Sequence, residues 1–177
     1  MDKLRLATIW LDGCSGCHMS FLDLDERLFG LADRVDLVYS PLVDAKEFPE
    51  NVDIALVEGA IGTNEDFEKI RLVRSRTRVL VALGDCAVTA NILAMRNPGS
   101  LDALLNSIYR ERPLLNPQIP TEGVPALRKR VLPLHKVVKV DLYVPGCPPS
   151  ADTIYFTISE LLEQRIPDLT AISRFGA

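Results

Sequence analysis

Apolar residues fall along the chain in short blocks separated by turn-forming residues. Leu4 to Leu11 is nearly all apolar, and Leu6-Ala7-Thr8-Ile9-Trp10-Leu11 has the composition of a buried strand. From His18 to Phe29 the period changes. Phe21, Leu22, Leu28 and Phe29 recur at helical spacing, which predicts an amphipathic helix. Val35 to Tyr39 predicts a second strand closed by Ser40-Pro41, and Glu47 to Asn51 is a polar connection to a third strand, Val52 to Glu58. Thr63 with Asp66 has the pattern of a capping box that opens a helix through Arg76. Arg78 to Leu83 predicts a fourth strand ending in Gly84-Asp85-Cys86, and Ala87 to Met95 a small-residue helix that stops before Asn97-Pro98-Gly99. Leu101 to Tyr109 reads as another helix. Pro113, Pro117, Pro120, Pro125 and Pro133 then predict a long irregular excursion, whose natural tasks are covering a site or gripping another subunit. Its Arg128-Lys129-Arg130 run reads first as a solvated face. Val137 to Val144 predicts the fifth strand, ending in Pro145-Gly146-Cys147-Pro148-Pro149. Ser150 caps a last helix with Ile154, Tyr155, Ile158, Leu161 and Leu162 on one stripe.

Strands that alternate with helices imply α/β architecture: a flavodoxin-like, doubly wound, five-stranded parallel sheet in the order 2-1-3-4-5, three layers deep. The 177 residues fit one domain, 1–177, able to bury roughly two-thirds of its unfolded surface. Hydrophobic residues make up 47% of the chain, yet the longest apolar runs are strand length, far below the roughly 20 residues of a membrane span. The surplus apolar surface is expected against partner subunits. With a net charge of −4, no basic excess and no aromatic-basic interleaving, nothing suggests nucleic-acid binding. Met1-Asp2-Lys3-Leu4-Arg5 runs straight into the first strand, so no signal peptide, twin-arginine leader or transit peptide is expected, and the location expected is the cytoplasm. Thiols stay reduced there, so the four cysteines read as a metal site and not as two disulfides.

All four cysteines, Cys14, Cys17, Cys86 and Cys147, follow a predicted strand: the first, the fourth or the fifth. Parallel strands bring such loops to one edge, where open α/β sheets keep their ligands. In Asp12-Gly13-Cys14-Ser15-Gly16-Cys17 the two glycines let the backbone turn tightly beside both thiols, and the following helix points its N-terminus at them. Four thiolates suit zinc or an iron–sulfur cluster. Structural zinc draws on two close cysteine pairs, whereas one pair with two remote single cysteines departs from that habit. The proline after Cys147 also matches iron–sulfur loops, so the expected cofactor is one [4Fe-4S] cluster. Glu58 ends a strand at the same edge, where a proton relay, a partner contact and a loop carboxylate are equal readings. His18 and Asp85 flank cysteines and read as loop stabilisers. His135 is given no role.

Four segments, Gly13-Cys14-Ser15-Gly16-Cys17-His18-Met19-Ser20-Phe21-Leu22-Asp23, Val57-Glu58-Gly59-Ala60-Ile61, Gly84-Asp85-Cys86-Ala87 and Val144-Pro145-Gly146-Cys147-Pro148-Pro149, resemble the small subunit of a [NiFe] hydrogenase. The kind most similar is the short cytoplasmic one of NAD-reducing bidirectional hydrogenases, and the resemblance covers nearly the whole chain. It implies that Cys14, Cys17, Cys86 and Cys147 bind the proximal [4Fe-4S] cluster, with no catalytic residue on this chain. It also implies a separate large subunit with the Ni–Fe centre, iron–sulfur/flavin diaphorase subunits as partners, and the reaction H2 + NAD+ = H+ + NADH. Larger family members carry further clusters in a C-terminal extension. Here no cysteine follows Cys147, which implies that electrons pass onward through another subunit. The related cluster subunit of respiratory complex I has two adjacent cysteines where this chain separates Cys14 from Cys17. FMN is the weaker expectation, because the loop that cradles its phosphate in flavodoxins carries Cys14 and Cys17 here. The alternatives within the redox class are an energy-converting or a sulfur- or cofactor-reducing hydrogenase and a complex I-like subunit. The alternative outside it is a zinc-stabilised adaptor.

Overall fold

Each predicted strand has a counterpart in the computed structural model, which describes residues 3–112 and 115–176. Met1 and Asp2 of the leader reading, Pro113 of the proline-rich stretch and Ala177 of the domain bounds lie outside the described residues. The chain runs β1 (Leu4–Trp10), α1 (Gly16–Leu22), α2 (Arg27–Ala32), β2 (Val35–Tyr39), β3 (Val52–Glu58), β4 (Ile61–Thr63) and α3 (Asn64–Ser75). It continues with β5 (Thr77–Leu83), α4 (Asp85–Thr89), a 3-10 helix (Asn91–Arg96), α5 (Leu101–Tyr109), β6 (Leu127–Leu132), a 3-10 turn (Leu134–Lys136), β7 (Leu142–Val144) and α6 (Ala151–Leu162).

Five strands pair in parallel in the order β2-β1-β3-β5-β7, which is 2-1-3-4-5 when the strands of this sheet alone are counted. Successive side chains of a strand point to opposite faces. On β3, Ile54 and Leu56 therefore join the core with Phe21, Leu24, Leu31, Ile154 and Ile158. Ala55 and Val57 join the core with Ile70, Val73, Ala87 and Leu134 on the other face. Two apolar faces need two helical covers, which gives three layers. The register also aligns the strand ends. Trp10 lies opposite Glu58, Glu58 opposite Leu83, and Leu83 opposite Val144, so β1, β3, β5 and β7 finish in one row.

The helix opened by Thr63 forms as expected: the Thr63 hydroxyl accepts from the Asp66 N–H at 3.0 Å and the Asp66 carboxylate accepts from the Thr63 N–H at 2.9 Å. Elsewhere the structure corrects the expectations. The stretch from His18 to Phe29 is two short helices, because Asp25 turns into a left-handed conformation with φ 49°. Phe21, Leu24 and Leu31 are buried on both sides of that break, so the apolar spacing imitates one helix. The stretch from Ala87 to Met95 breaks at Ala90, φ 67°, which packs against Ala60 and Val131. The fifth strand is only Leu142–Val144: before it, Val137, Val138 and Val140 pack onto the second core, and ladder bonding begins where the Asp141 N–H reaches the Leu80 carbonyl at 2.9 Å. The excursion is less irregular than its prolines suggest. It returns as β6 antiparallel to β4, and Arg96 bridges the two by donating to the Gly62 and Arg128 carbonyls at 3.0 and 2.8 Å. Arg128 itself stacks over Phe67, 4.3 Å from the ring centre, while Lys129 and Arg130 face solvent. No helix among the described residues is long and apolar enough to cross a membrane.

Leu80 is fully buried on the interior strand β5, whereas Leu72 on α3 is 40% exposed. Leu80→Ala should therefore cost about 2–5 kcal/mol in urea denaturation of the chain, the usual range for a large-to-small core change. Leu72→Ala should cost less than about 1 kcal/mol by the same measurement.

Candidate metal centre

The aligned strand ends place every cysteine at one edge of the sheet. Cys14 lies in the loop after β1 and Cys17 in the first turn of α1; Cys86 opens α4 directly after β5, and Cys147 lies between β7 and α6. The structure thus brings together all four residues singled out from the sequence. Cys14 and Cys147 are exposed, Cys86 is half-buried and Cys17 is buried. Among the described residues, no three His, Cys, Asp or Glu side chains gather closely enough to bind one metal ion.

Close packing and main-chain bonds knit the three loops. The Gly84 N–H donates to the Val144 carbonyl and the Asp85 N–H to the Gly146 carbonyl, both at 2.8 Å. The Ser20 hydroxyl of α1 donates to the Pro149 carbonyl at 2.6 Å, joining the first loop to the last. Gly84 has φ +83°, and a Cβ there would run into Cys17 Sγ, so the β5 loop approaches α1 with only a hydrogen atom between them. Two polar contacts reach the sulfurs. The Gly16 N–H points at Cys14 Sγ at 3.4 Å, and Asn91 Nδ2 donates to Cys147 Sγ at 3.6 Å. The Asn91 contact was not foreseen, since nothing local in the sequence marks an asparagine 56 residues before its partner.

This proximity has an electrostatic price. Burial pushes the Cys17 thiol far up, and the charges of Glu58, Cys86, Cys14 and Cys147 push it further. Cys86 is raised to about 11, first by burial and then by Cys147, Cys14, Glu58 and Asp85. At neutral pH, Cys86 and Cys17 therefore hold their protons in the bare chain. A cationic centre would have to displace those protons and would relieve the mutual repulsion of the thiolates.

Behind Cys17 lies a buried polar chain. Glu58 is 2% exposed, and its Oε2 accepts from the His18 N–H at 2.9 Å and also contacts His18 Nδ1. His18 Nε2 lies 3.0 Å from Thr8 Oγ1, which lies 2.8 Å from Ser40 Oγ; the latter accepts from the Leu42 N–H at 3.1 Å. Glu58 and His18 are therefore not local loop residues. They bond across 40 positions of sequence and tie the start of α1 to the end of β3. Asp85, also read as a loop stabiliser, likewise bonds far from its own loop. Its Oδ1 accepts from the Gly146 N–H and its Oδ2 from the Gly176 N–H, both at 2.7 Å. His135, given no role, packs edge-on against Tyr143.

Comparison with known proteins bears on this edge directly. The model of the family described as NADH ubiquinone oxidoreductase, 20 kDa subunit, matches residues 14–161, which include all four cysteines. The chain is 38% identical to the NAD-reducing hydrogenase HoxS subunit delta of Cupriavidus necator, over 98% of this chain and 86% of that one. A crystal structure of NAD+-reducing [NiFe]-hydrogenase in the H2-reduced state contains a chain that superposes with a TM-score of 0.93 at 40% identity, covering 98% of this chain and 99% of that one. The chain spans 54–59% of the length of the F420-non-reducing hydrogenase G subunits that it also matches. One of these, from Archaeoglobus profundus and 28% identical over 93% of this chain, is named an iron–sulfur subunit.

The close approach at Gly84 supplies a test of the geometry. Gly84→Ala puts an alanine at φ 83° and ψ 161°, a region only glycine adopts readily, and drives its Cβ into Cys17, so it should cost about 1–3 kcal/mol in denaturation of the chain. Gly30 on α2 has no atom within 4 Å of an added Cβ, so Gly30→Ala should leave stability unchanged or raise it by up to about 1 kcal/mol.

Proposed function

The chain belongs to the family of the NADH ubiquinone oxidoreductase 20 kDa subunit and, within it, to the small subunits of NAD-reducing [NiFe] hydrogenases; from that membership we propose that Cys14, Cys17, Cys86 and Cys147 hold one [4Fe-4S] cluster. This is the proximal cluster, and residues 1–177 form one domain built to hold it. The observation that carries the reading is the convergence of the three thiol-bearing loops on one row of strand ends. A single zinc ion needs four sulfurs about 2.3 Å from one point. A cluster instead takes one thiolate at each of four irons, and the loops at this edge supply four cysteines: one close pair and two remote single ones.

When bound, the cluster supplies one-electron transfer for H2 + NAD+ = H+ + NADH, catalysed by the whole assembly. The chain's own residues hold it in place and control its surroundings. Cys17, buried against the Glu58–His18 pair, fixes the inner side of the frame and keeps water from it. Cys14 and Cys147 form the outer, exposed side, and Pro145, Pro148 and Pro149 flank Cys147 without adding N–H donors. No side chain here performs bond chemistry. Trp10, Met19, Ile92 and Met95 are 45–76% exposed on segments adjoining the cysteines, and they offer the surplus apolar surface expected against the [NiFe] large subunit. Iron–sulfur and flavin diaphorase subunits take the electrons onward, and the assembly works in the cytoplasm. FMN is not expected on this chain, since the β1–α1 loop carries Cys14 and Cys17 in place of a phosphate cradle.

The assignment is tested in the assembled complex. Cys86→Ala or Cys147→Ser should abolish H2-dependent NAD+ reduction and lower the iron retained by the complex. Normal activity in either variant would sink the ligand assignment.

A further inference from the structure

Asp85 is a buried carboxylate, 5% exposed, and among the described residues no cation lies within ion-pair distance of it. A charge in that position is costly unless hydrogen bonds satisfy it. Here backbone N–H groups do so, and they come from two segments far away in sequence. Oδ1 accepts from Gly146, the residue before Cys147; Oδ2 accepts from Gly176 of the C-terminal tail, each at 2.7 Å. The Asp85 N–H returns a bond to the Gly146 carbonyl at 2.8 Å, so the Cys86 and Cys147 loops are joined by a reciprocal pair. The tail is anchored from three more sides. Leu169 is buried in the core, the Ile172 carbonyl accepts from the Thr153 hydroxyl at 3.0 Å, and the Ser173 hydroxyl donates to the Pro145 carbonyl at 2.5 Å.

We propose that Asp85 is a positioning residue whose carboxylate clasps the Cys86 loop, the Cys147 loop and the C-terminal tail into one rigid frame that governs how firmly the cluster is held. The proposal rests on the four-cysteine reading above and concerns residues that touch no substrate. Its chemistry explains why an aspartate stands there. Both of its oxygens accept, and both partners are donors. An asparagine would satisfy one N–H and face the other with its own NH2. The reciprocal bond through the Asp85 backbone would survive, so the loops would stay paired but loosen. The substitution would also remove a negative charge next to Cys86, which favours the reduced state of a nearby redox centre.

The test uses the complete complex purified without air from cells making wild-type, Asp85→Asn or Asp152→Asn chains. Asp152, on α6, is a control carboxylate whose side chain is 88% exposed and pairs with Arg27 of α2. Iron release to a chelator should be about ten- to a hundredfold faster in Asp85→Asn, the usual cost of removing a group that orients a metal ligand. The midpoint potential of its cluster, read by redox titration, should move upward. Asp152→Asn should match wild type in both. Wild-type iron retention with an unchanged potential in Asp85→Asn would overturn the clasp. If Asp85→Asn does not assemble, amide hydrogen exchange in the wild-type complex decides: slow exchange at both Gly146 and Gly176 is expected, and fast exchange at either overturns the proposal. A wild-type complex free of iron would instead overturn the cluster reading on which the clasp depends.

Discussion

The structure depends on the level finish of its parallel strands. Hydrogen bonding between neighbours fixes the register Trp10–Glu58–Leu83–Val144, and burial of both sheet faces makes a slip costly, since a one-residue shift would move every side chain to the opposite face and undo the packing of both cores. With the strand ends in one row, the residues that follow them have little choice of place. Cys14, Cys86 and Cys147 lie 133 positions apart from first to last, yet the ladder delivers them to one edge. The cysteine frame is thus a consequence of sheet packing, and loop chemistry refines it.

That refinement is polar and buried. Four thiols, Glu58 and Asp85 bring potential negative charge into a small volume, and the Cys17 and Cys86 thiols are raised first by burial and then by that repulsion. Among the described residues no Lys or Arg pairs with Glu58 or Asp85, and hydrogen-bond donors meet them instead. Glu58 takes the His18 N–H and imidazole; Asp85 takes two glycine amides. The bonds that restrain the loops are the same ones that keep the buried carboxylates satisfied.

The fold was legible in the sequence wherever periodicity and local chemistry agreed. Val35 to Tyr39, Val52 to Glu58 and Leu101 to Tyr109 appear with the bounds read from pattern alone, and Thr63 with Asp66 forms the capping box that their spacing implied. It misled where tertiary contacts mimicked periodicity: Phe21, Leu24 and Leu31 line one core across a break at Asp25. The strand β6 was hidden by prolines because its reason for existing is the distant β4 edge. At the site, all four cysteines were readable from their positions after strands. The partners of Glu58 and Asp85 were not, because a carboxylate bonded to His18 across 40 residues, or to Gly176 across 91, leaves no local signature.

The most direct measurement is the nickel, iron and zinc content of the complex purified without air through a tag on this chain. The account predicts nickel together with abundant iron, and no stoichiometric zinc. Zinc as the only metal, with iron absent, would contradict the cluster on Cys14, Cys17, Cys86 and Cys147.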